Sequence, residues 1–420
     1  MAIEDDEPKD REVWRDIARF WYNKASDKSP QVGRLYHHLA ILARSYTLEQ
    51  LSLYTRSLTC VTPFESAKGS IMTLFNPILH GKDTIQRQSS SLETVFIRAH
   101  GDLFTSQPLD SSKTIDAVLK HLNSDGLFVK YIKKTGAKFK ENGVYAAVSN
   151  IAALFEYGAS NQEGSKPPLR LAYEAVKLAK EEPSKVSSTG QTDIANVQPS
   201  NGSREPGVDR FTEPSADHTS YIFSQSSKLA FYTLDVSLGY PKDKNVYPLV
   251  HVYLVFISSL LIVQQAYTSF ERGSTWKLIE KDIPWMSICV FLNALVAEPQ
   301  AKTNKIWNGE FPKSNRGTSR LLPEDFILRG QLYTQWYFPE NWFTAAMVED
   351  DERSLDLPSM ALPRMKRILS LGHRIASVGL TLILWGYLLT VYQDSRWIRY
   401  DEQSELFCVT DHNNNIRAHA

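Results

Sequence analysis

The fold class this sequence predicts is all-α, a chain of stacked helical hairpins, and three observations carry it. Apolar residues recur at helical spacing in one segment after another, as in Leu92, Val95, Phe96, Ala99 and Leu103, or Val144, Val148, Ile151 and Phe155. Each set falls on one face of a helix. Between Asp16 and Pro63, small and large residues alternate at the spacing of a helix-pair repeat. No alternating apolar and polar run of useful length argues for a strand.

The repeat spacing is the most informative of the three. Ala18, Tyr22, Ala25 and Pro30 sit at offsets of four, three and five, the small, aromatic, small and proline positions that close the second helix of a tetratricopeptide unit. Gly33 opens the next unit, whose first helix takes Tyr36, Leu39, Ala40 and Ala43 at its large and small packing positions. Leu48 to Thr59 is its second helix, and Pro63 marks its end. Small residues let antiparallel helices approach, aromatic rings fill the gaps, and proline cannot continue a helix. The first unit is only half present, because Met1 to Asp10 is short, acidic and poor in apolar residues. A repeat needs stacked neighbours, so Trp14, Phe20 and Trp21 require cover from the downstream chain or from a segment upstream.

Taken in order, the degenerate tetratricopeptide helices occupy 1–66 and continue into an α-helical hairpin solenoid. Residues 67–180 form a helical hairpin domain: a helix to about Leu79, a polar loop from Gly81 to Ser91, a helix from Leu92, one or two more between Ile115 and Lys140, and a short one over Leu169 to Lys180. Residues 181–220 are rich in Pro, Gly, Ser, Thr and Gln. With so little apolar surface to bury, they read as a disordered linker whose serines are candidates for phosphorylation. A second helical domain spans 221–400, with apolar runs at Val246 to Val263 and Ile283 to Val296 and a long helix or helix pair from Arg364 to Tyr392. Lys302 to Arg320 reads as a basic loop, Glu349 to Glu352 as a solvated acidic one, and 401–420 as a frayed tail.

Composition narrows the function. Lys plus Arg equals Asp plus Glu, 47 against 47, so no global field draws nucleic acid or acidic membrane to the chain, and any such contact is local. Cys60, Cys289 and Cys408 are odd in number and far apart, which fits a reduced intracellular protein rather than a disulfide framework or a zinc site. The acidic start is unlike a secretory leader. There is no Walker-type glycine loop, no H-E-x-x-H helix and no G-x-S-x-G elbow, so neither enzyme chemistry nor a cofactor is expected.

Several segments together resemble a known family. The runs Ala25 to Ala43, Tyr54 to Phe64 and Glu65 to Ala67 follow a pattern GxxYxxLAxLA … YxRSLxxxxPFxxA, and Phe96 to Phe104, Ile283 to Asn293, Leu322 to Gly330 and Arg367 to Ser377 agree in order. This pattern is similar to that of the SMG and ever-shorter-telomeres family of nonsense-mediated decay and telomerase factors. The resemblance implies a scaffold without enzymatic activity, in the nucleus or cytoplasm or both. Its implied partners are proteins of mRNA decay or telomerase complexes, with RNA or single-stranded DNA as a further ligand and no small-molecule substrate. It implies that Arg329 of the Pro323-Glu-Asp-Phe-Ile-Leu-Arg-Gly330 element pairs with Glu324 or Asp325. Some members add a carboxylate-based nuclease domain, for which this chain has neither the strand and helix alternation nor the room. The family's phosphoserine-binding residues lie in an upstream fourteen-three-three-like half that has no match here. That reads either as a loss of phosphopeptide binding or as a start at Met1 that cuts the half away.

Two basic clusters are candidate nucleic-acid contacts. Lys130, Lys133, Lys134, Lys138 and Lys140 interleave with Phe128, Tyr131 and Phe139, so that lysines would hold phosphates while bases stack on the rings; the alternative is a solvated helix end. Lys302, Lys305, Lys313, Arg316 and Arg320 surround Trp307 and Phe311. His37 and His38 adjoin and point to different faces of a helix, and His100 has no His or Cys at ligand spacing, so no metal is expected. Ile375 to Tyr392 is 18 residues without a charge, long enough to span a bilayer. A buried core helix is the first reading, and a membrane-tethered helical protein anchored by 375–392 is the alternative.

Overall fold

The computed structural model describes residues 7–80, 92–105, 115–116, 119–120, 127–158, 166–181, 216–266, 279–302, 310–312, 321–344, 353, 355–384, 397–410 and 416–417. The fold is all-α. Fourteen helices are described, and a small sheet ends the described chain.

Helix α1 (Pro8–Lys28) starts with proline at its first turn, carries Asp10 near its positive end and Lys28 near its negative end. It lies against α2 (Gly33–Leu42), which pairs with α3 (Thr47–Thr59). Of the repeat positions, Tyr36, Leu39, Ala40 and Ala43 are buried, Ala18, Ala25 and Pro30 are half-buried, and the Tyr22 ring stacks on His38 at 4.9 Å. Gly33 is required by close approach, because a Cβ there would lie 2.3 Å from the Ser57 carbonyl oxygen. Cover for the outer side of α1 does not come from the described downstream chain: Trp14, Phe20 and Trp21 are 36%, 42% and 65% exposed.

Helices α4 (Ala67–His80), α5 (Leu92–Thr105), α6 (Leu127–Thr135) and α7 (Phe139–Leu154) follow. The sequence gives α7 one buried face; in the fold it is buried almost all round, because α3, α9 (Ala216–Leu238) and α10 (Tyr247–Ala266) pack on different sides of it. Helix α8 (Pro168–Glu181) docks on α10. Residues 182–215 of the expected linker lie outside the described residues, and α9 begins at Ala216, inside the stretch read as disordered.

Helix α10 is the interior element of the second half. Its neighbours are α7, α8, α9 and α14 (Ala361–Leu384), and 94% of Tyr247–Gln264 is buried. A helix apolar on every side is what such a position needs. It is long and apolar enough to cross a membrane, yet protein covers it. Of the segment 375–392, Ile375 and Ala376 are buried at the end of α14, and 385–392 lies outside the described residues.

Helices α11 (Trp285–Val296), α12 (Pro299–Lys302) and α13 (Pro323–Leu328) complete the helical part. The tail corrects two expectations, the absence of strands and the frayed end. Strands β1 (Trp397–Asp401), β2 (Leu406–Thr410) and β3 (Ile416–Arg417) form an antiparallel sheet in sequence order, with Tyr400 opposite Phe407. It lies on α11 and α14, burying Ile398, Phe407 and Val409. Asn293 of α11 completes the Phe407 backbone, donating to its oxygen at 2.8 Å and accepting from its N–H at 2.7 Å. The strands escape notice in the sequence because each spans only five residues or fewer, too short for a period of two to stand out.

Candidate functional site

The distant segment Leu322 to Gln331 closes on the first repeat pair, and the site is built where they meet. Helix α13 begins with Pro323 in its first turn, and the Asp325 carboxylate accepts the Leu322 N–H at 3.0 Å. The chain then turns at Gly330 with φ +81°, where a Cβ would stand 1.8 Å from the Pro30 carbonyl oxygen, so only glycine fits. Val61 N–H donates to the Gly330 oxygen at 3.3 Å, Tyr36 hydroxyl donates to Pro30 and Arg329 oxygens at 2.6 and 3.3 Å, and Arg56 donates to Phe326 oxygen at 3.1 Å. Tyr36, placed by the repeat spacing, thus also anchors the far segment.

A buried ionic layer holds α13 from beneath. Arg364 of α14 grips Glu324 with two hydrogen bonds of 2.6 and 2.8 Å and reaches Asp356 at 2.9 Å. Arg367, one turn on, donates to Asp325 at 2.5 Å. Burial raises the Glu324 carboxyl, but Arg364 more than offsets it and holds that group well below the usual carboxylate range. Burial lowers the His251 pKa. With Glu324 ionised, His251 donates from Nδ1 to Glu324 at 2.9 Å and accepts the Tyr337 hydroxyl at Nε2 at 2.5 Å. Arg329 does not join this layer. It follows the last residue of α13 in an extended conformation, sits 4.3 Å from the Phe343 ring and reaches Asp27 of α1 at 3.6 Å. The expected pairing with Glu324 or Asp325 fails because α14 supplies both partners from beneath. Arg364 and Arg367 sit three apart and so share one face of α14, and that spacing is the signal that would have found them.

Above this layer lies a cleft of about 610 Å³, walled by α1 to α3, the start of α7, and the segment around α13. Arg19 pairs with Glu49, whose carboxyl burial pushes up and Arg19 pulls back. Arg353 pairs with Asp27 at 2.5 Å. The Arg56 guanidinium lies 4.0 Å from the Tyr36 ring centre. Leu39, Leu53 and Val144 add apolar lining. Polar and apolar side chains thus line the cleft together.

The predicted lysines meet this cleft at one end. Lys130, Lys133 and Lys134 stand exposed on α6. Lys138 and Lys140 line the cleft, the former 5.6 Å from the Tyr46 ring and the latter bound to Asp356 at 3.2 Å. The rings between them do not share that surface. Phe128 and Phe139 are buried edge to face at 5.7 Å, while Tyr131 donates to Glu93 at 2.6 Å and accepts from Asn142 at 2.9 Å. Phe128 and Phe139 face the core and are closed to stacking, Tyr131 is half-buried, and the phosphate contacts of the lysines remain as an expectation. Of the second cluster, Lys305, Trp307, Lys313, Arg316 and Arg320 lie outside the described residues, as does the side chain of Lys302. Phe311 is packed against Trp342 and Tyr337 at 4.6 and 5.2 Å.

The histidines have structural partners. His37 meets the Ser70 hydroxyl at 2.8 Å, and His100 meets the Tyr157 hydroxyl at 2.6 Å in a fully buried site that pushes its pKa down to about 3. Burial pushes the Cys60 thiol up to about 12. Among the described residues no group of three or more His, Cys, Asp or Glu is placed to hold a metal ion.

Residues 18–171 match the Est1 DNA/RNA binding domain family. Over 74 residues the chain is 40% identical to the telomerase-binding protein EST1A of Danio rerio, a stretch that is 17% of this chain and 5% of that protein. Residues 18–171 are of the Est1 type. The chain thus spans a small part of the curated relative it matches. The Est1-type stretch runs from α1 into α8 and contains both the repeat pair and the α6 lysines. The α13 element that closes on it lies outside the matched residues.

Proposed function

We propose that this Est1-type chain is a non-enzymatic helical-repeat scaffold that acts in nonsense-mediated mRNA decay or telomere maintenance. It holds protein partners from decay or telomerase complexes and binds RNA or single-stranded DNA, in the nucleus, the cytoplasm or both. One observation carries the nucleic-acid part: the stretch that matches a DNA/RNA binding domain presents Lys130, Lys133 and Lys134 on its surface, with Lys138 beside them at a cleft. The relative named as a telomerase-binding protein supports the telomere side.

The lysines act through charge alone, so their contribution is independent of base sequence and strongly dependent on salt. Replacing Lys133, Lys134 and Lys138 with Glu is expected to weaken single-stranded RNA or DNA binding in a gel shift. Loss of three phosphate contacts would flatten the slope of log K against log salt by about 2. An unchanged affinity and slope would remove the nucleic-acid part. Co-purification with decay factors or with telomerase RNA separates the two pathways.

A further inference from the structure

Helix α1 leaves one whole face in solvent. Asp10, Val13, Trp14, Ile17, Phe20, Trp21, Lys24 and Lys28 are spaced by three and four residues and all are exposed, with the five apolar members between 36% and 65% exposed. The opposite face is the one that docks: Tyr22 stacks on His38, Arg19 pairs with Glu49, and Ser26 is buried. Contiguous exposed aromatic surface of this kind marks an interaction site.

The pattern along the stripe identifies the occupant. Its apolar middle is symmetric about Ile17, with Val13 and Trp14 on one side and Phe20 and Trp21 on the other. Its ends are opposite in charge: Asp10 stands at the start, and Lys24 and Lys28 at the end. We infer that α1 pairs antiparallel with α1 of a second copy of this chain across a two-fold axis at Ile17. In that arrangement Val13 meets Trp21, Trp14 meets Phe20, and Asp10 of one copy faces Lys24 of the other. An isologous contact requires such self-complementarity. Arg15 and Arg19 lie on the far side of the helix from Ile17, paired with Glu12 and Glu49, and stay out of the contact. Two tryptophans and a phenylalanine would bury about 150–250 Å² each from full exposure, but they start 36–65% exposed, so the contact falls below the ~800 Å² per partner of standard interfaces and the pairing is weak. Dissociation into monomers on dilution is therefore expected.

Sedimentation equilibrium of the full chain over a range of micromolar concentrations tests the pairing. The expected result is a monomer and dimer in equilibrium. Ile17→Arg puts two like charges on the axis, so it abolishes the dimer while thermal unfolding of the monomer stays unchanged. Asp10→Lys weakens association at least several-fold, and the double exchange Asp10→Lys with Lys24→Asp restores it. Ile17→Cys cross-links to itself under mild oxidation, since the three native cysteines are buried. A chain that stays monomeric throughout overturns the inference, as does a dimer that persists with Ile17→Arg or a double exchange that fails to recover association. Binding of α1 only to a different protein's helix would appear as the first of these.

Discussion

Helices α1 and α10 are nearly equal in length, 21 and 20 residues, and meet opposite fates. Protein covers 94% of the Tyr247–Gln264 stretch of α10, and even its one histidine, His251, has both ring nitrogens engaged by Glu324 and Tyr337. Helix α1 buries one side against α2 and leaves Val13, Trp14, Ile17, Phe20 and Trp21 in solvent. The difference lies in how apolar residues are distributed around each helix. An all-round apolar helix can only be an interior element, whereas a stripe bounded by charges has two usable sides. Two apolar faces in one molecule therefore do different work: one holds the fold, the other is free to be held.

Breaking the interior side should produce the largest effect. Glu324 is 1% exposed and completes the pairing of Arg364 and His251. Glu324→Ala strands the Arg364 guanidinium with only Asp356, and removing one member of such a pair costs about 3–5 kcal/mol. Urea unfolding should show that loss through a lower midpoint at an unchanged slope. An effect under about 1 kcal/mol would mean that α10 is not anchored through its polar side chain.

A smaller effect separates interior from surface by pH. At the end of α7, Glu156 and Tyr157 take positive φ values of 49° and 50°. Burial raises the Glu156 carboxyl from 4.5 to about 7. Because the folded state holds the proton more tightly, this group's contribution to stability is complete below about pH 4.5 and is lost as pH rises through about 7. Glu156→Gln should match the native chain in acid and exceed it above neutrality by up to about 3 kcal/mol. Parallel curves from pH 4 to 8 would place Glu156 in solvent. His100 runs the other way, since burial lowers its pKa to about 3, so its contribution is present above about 6.5 and falls away in acid.

The residues that fixed the first repeats were legible because each packs against a neighbour close in sequence: Tyr36, Leu39, Ala40 and Ala43 have their places set by offsets of three and four. The closure of Gly330 on Pro30 was not, although both residues stood out, since nothing local states that segments 300 residues apart will meet. The same holds for Arg329, assigned to acids four and five positions away when α14 supplied their partners. Lysines between aromatic residues read as one surface in one dimension. Two helices turned Phe128 and Phe139 inward and Lys133 and Lys134 outward, which took those two rings from the surface and left the charge.

The smallest expected effect is the sharpest test of the contrast between the two helices. Trp21 is the most exposed large apolar residue of α1, at 65%, and Leu254 of α10 is fully buried. By side-chain size alone the tryptophan should matter more. Burial reverses the order: Leu254→Ala opens a cavity among packed neighbours and costs about 2–5 kcal/mol, whereas Trp21→Ala removes contacts made mainly with water and should stay within about 0.5 kcal/mol. Both values come from chemical unfolding at dilute concentration, where any pairing of copies is dissociated and cannot add stability by mass action. If Trp21→Ala costs as much as Leu254→Ala under those conditions, the outer face of α1 is part of the monomer's own core and the division drawn between the two helices fails.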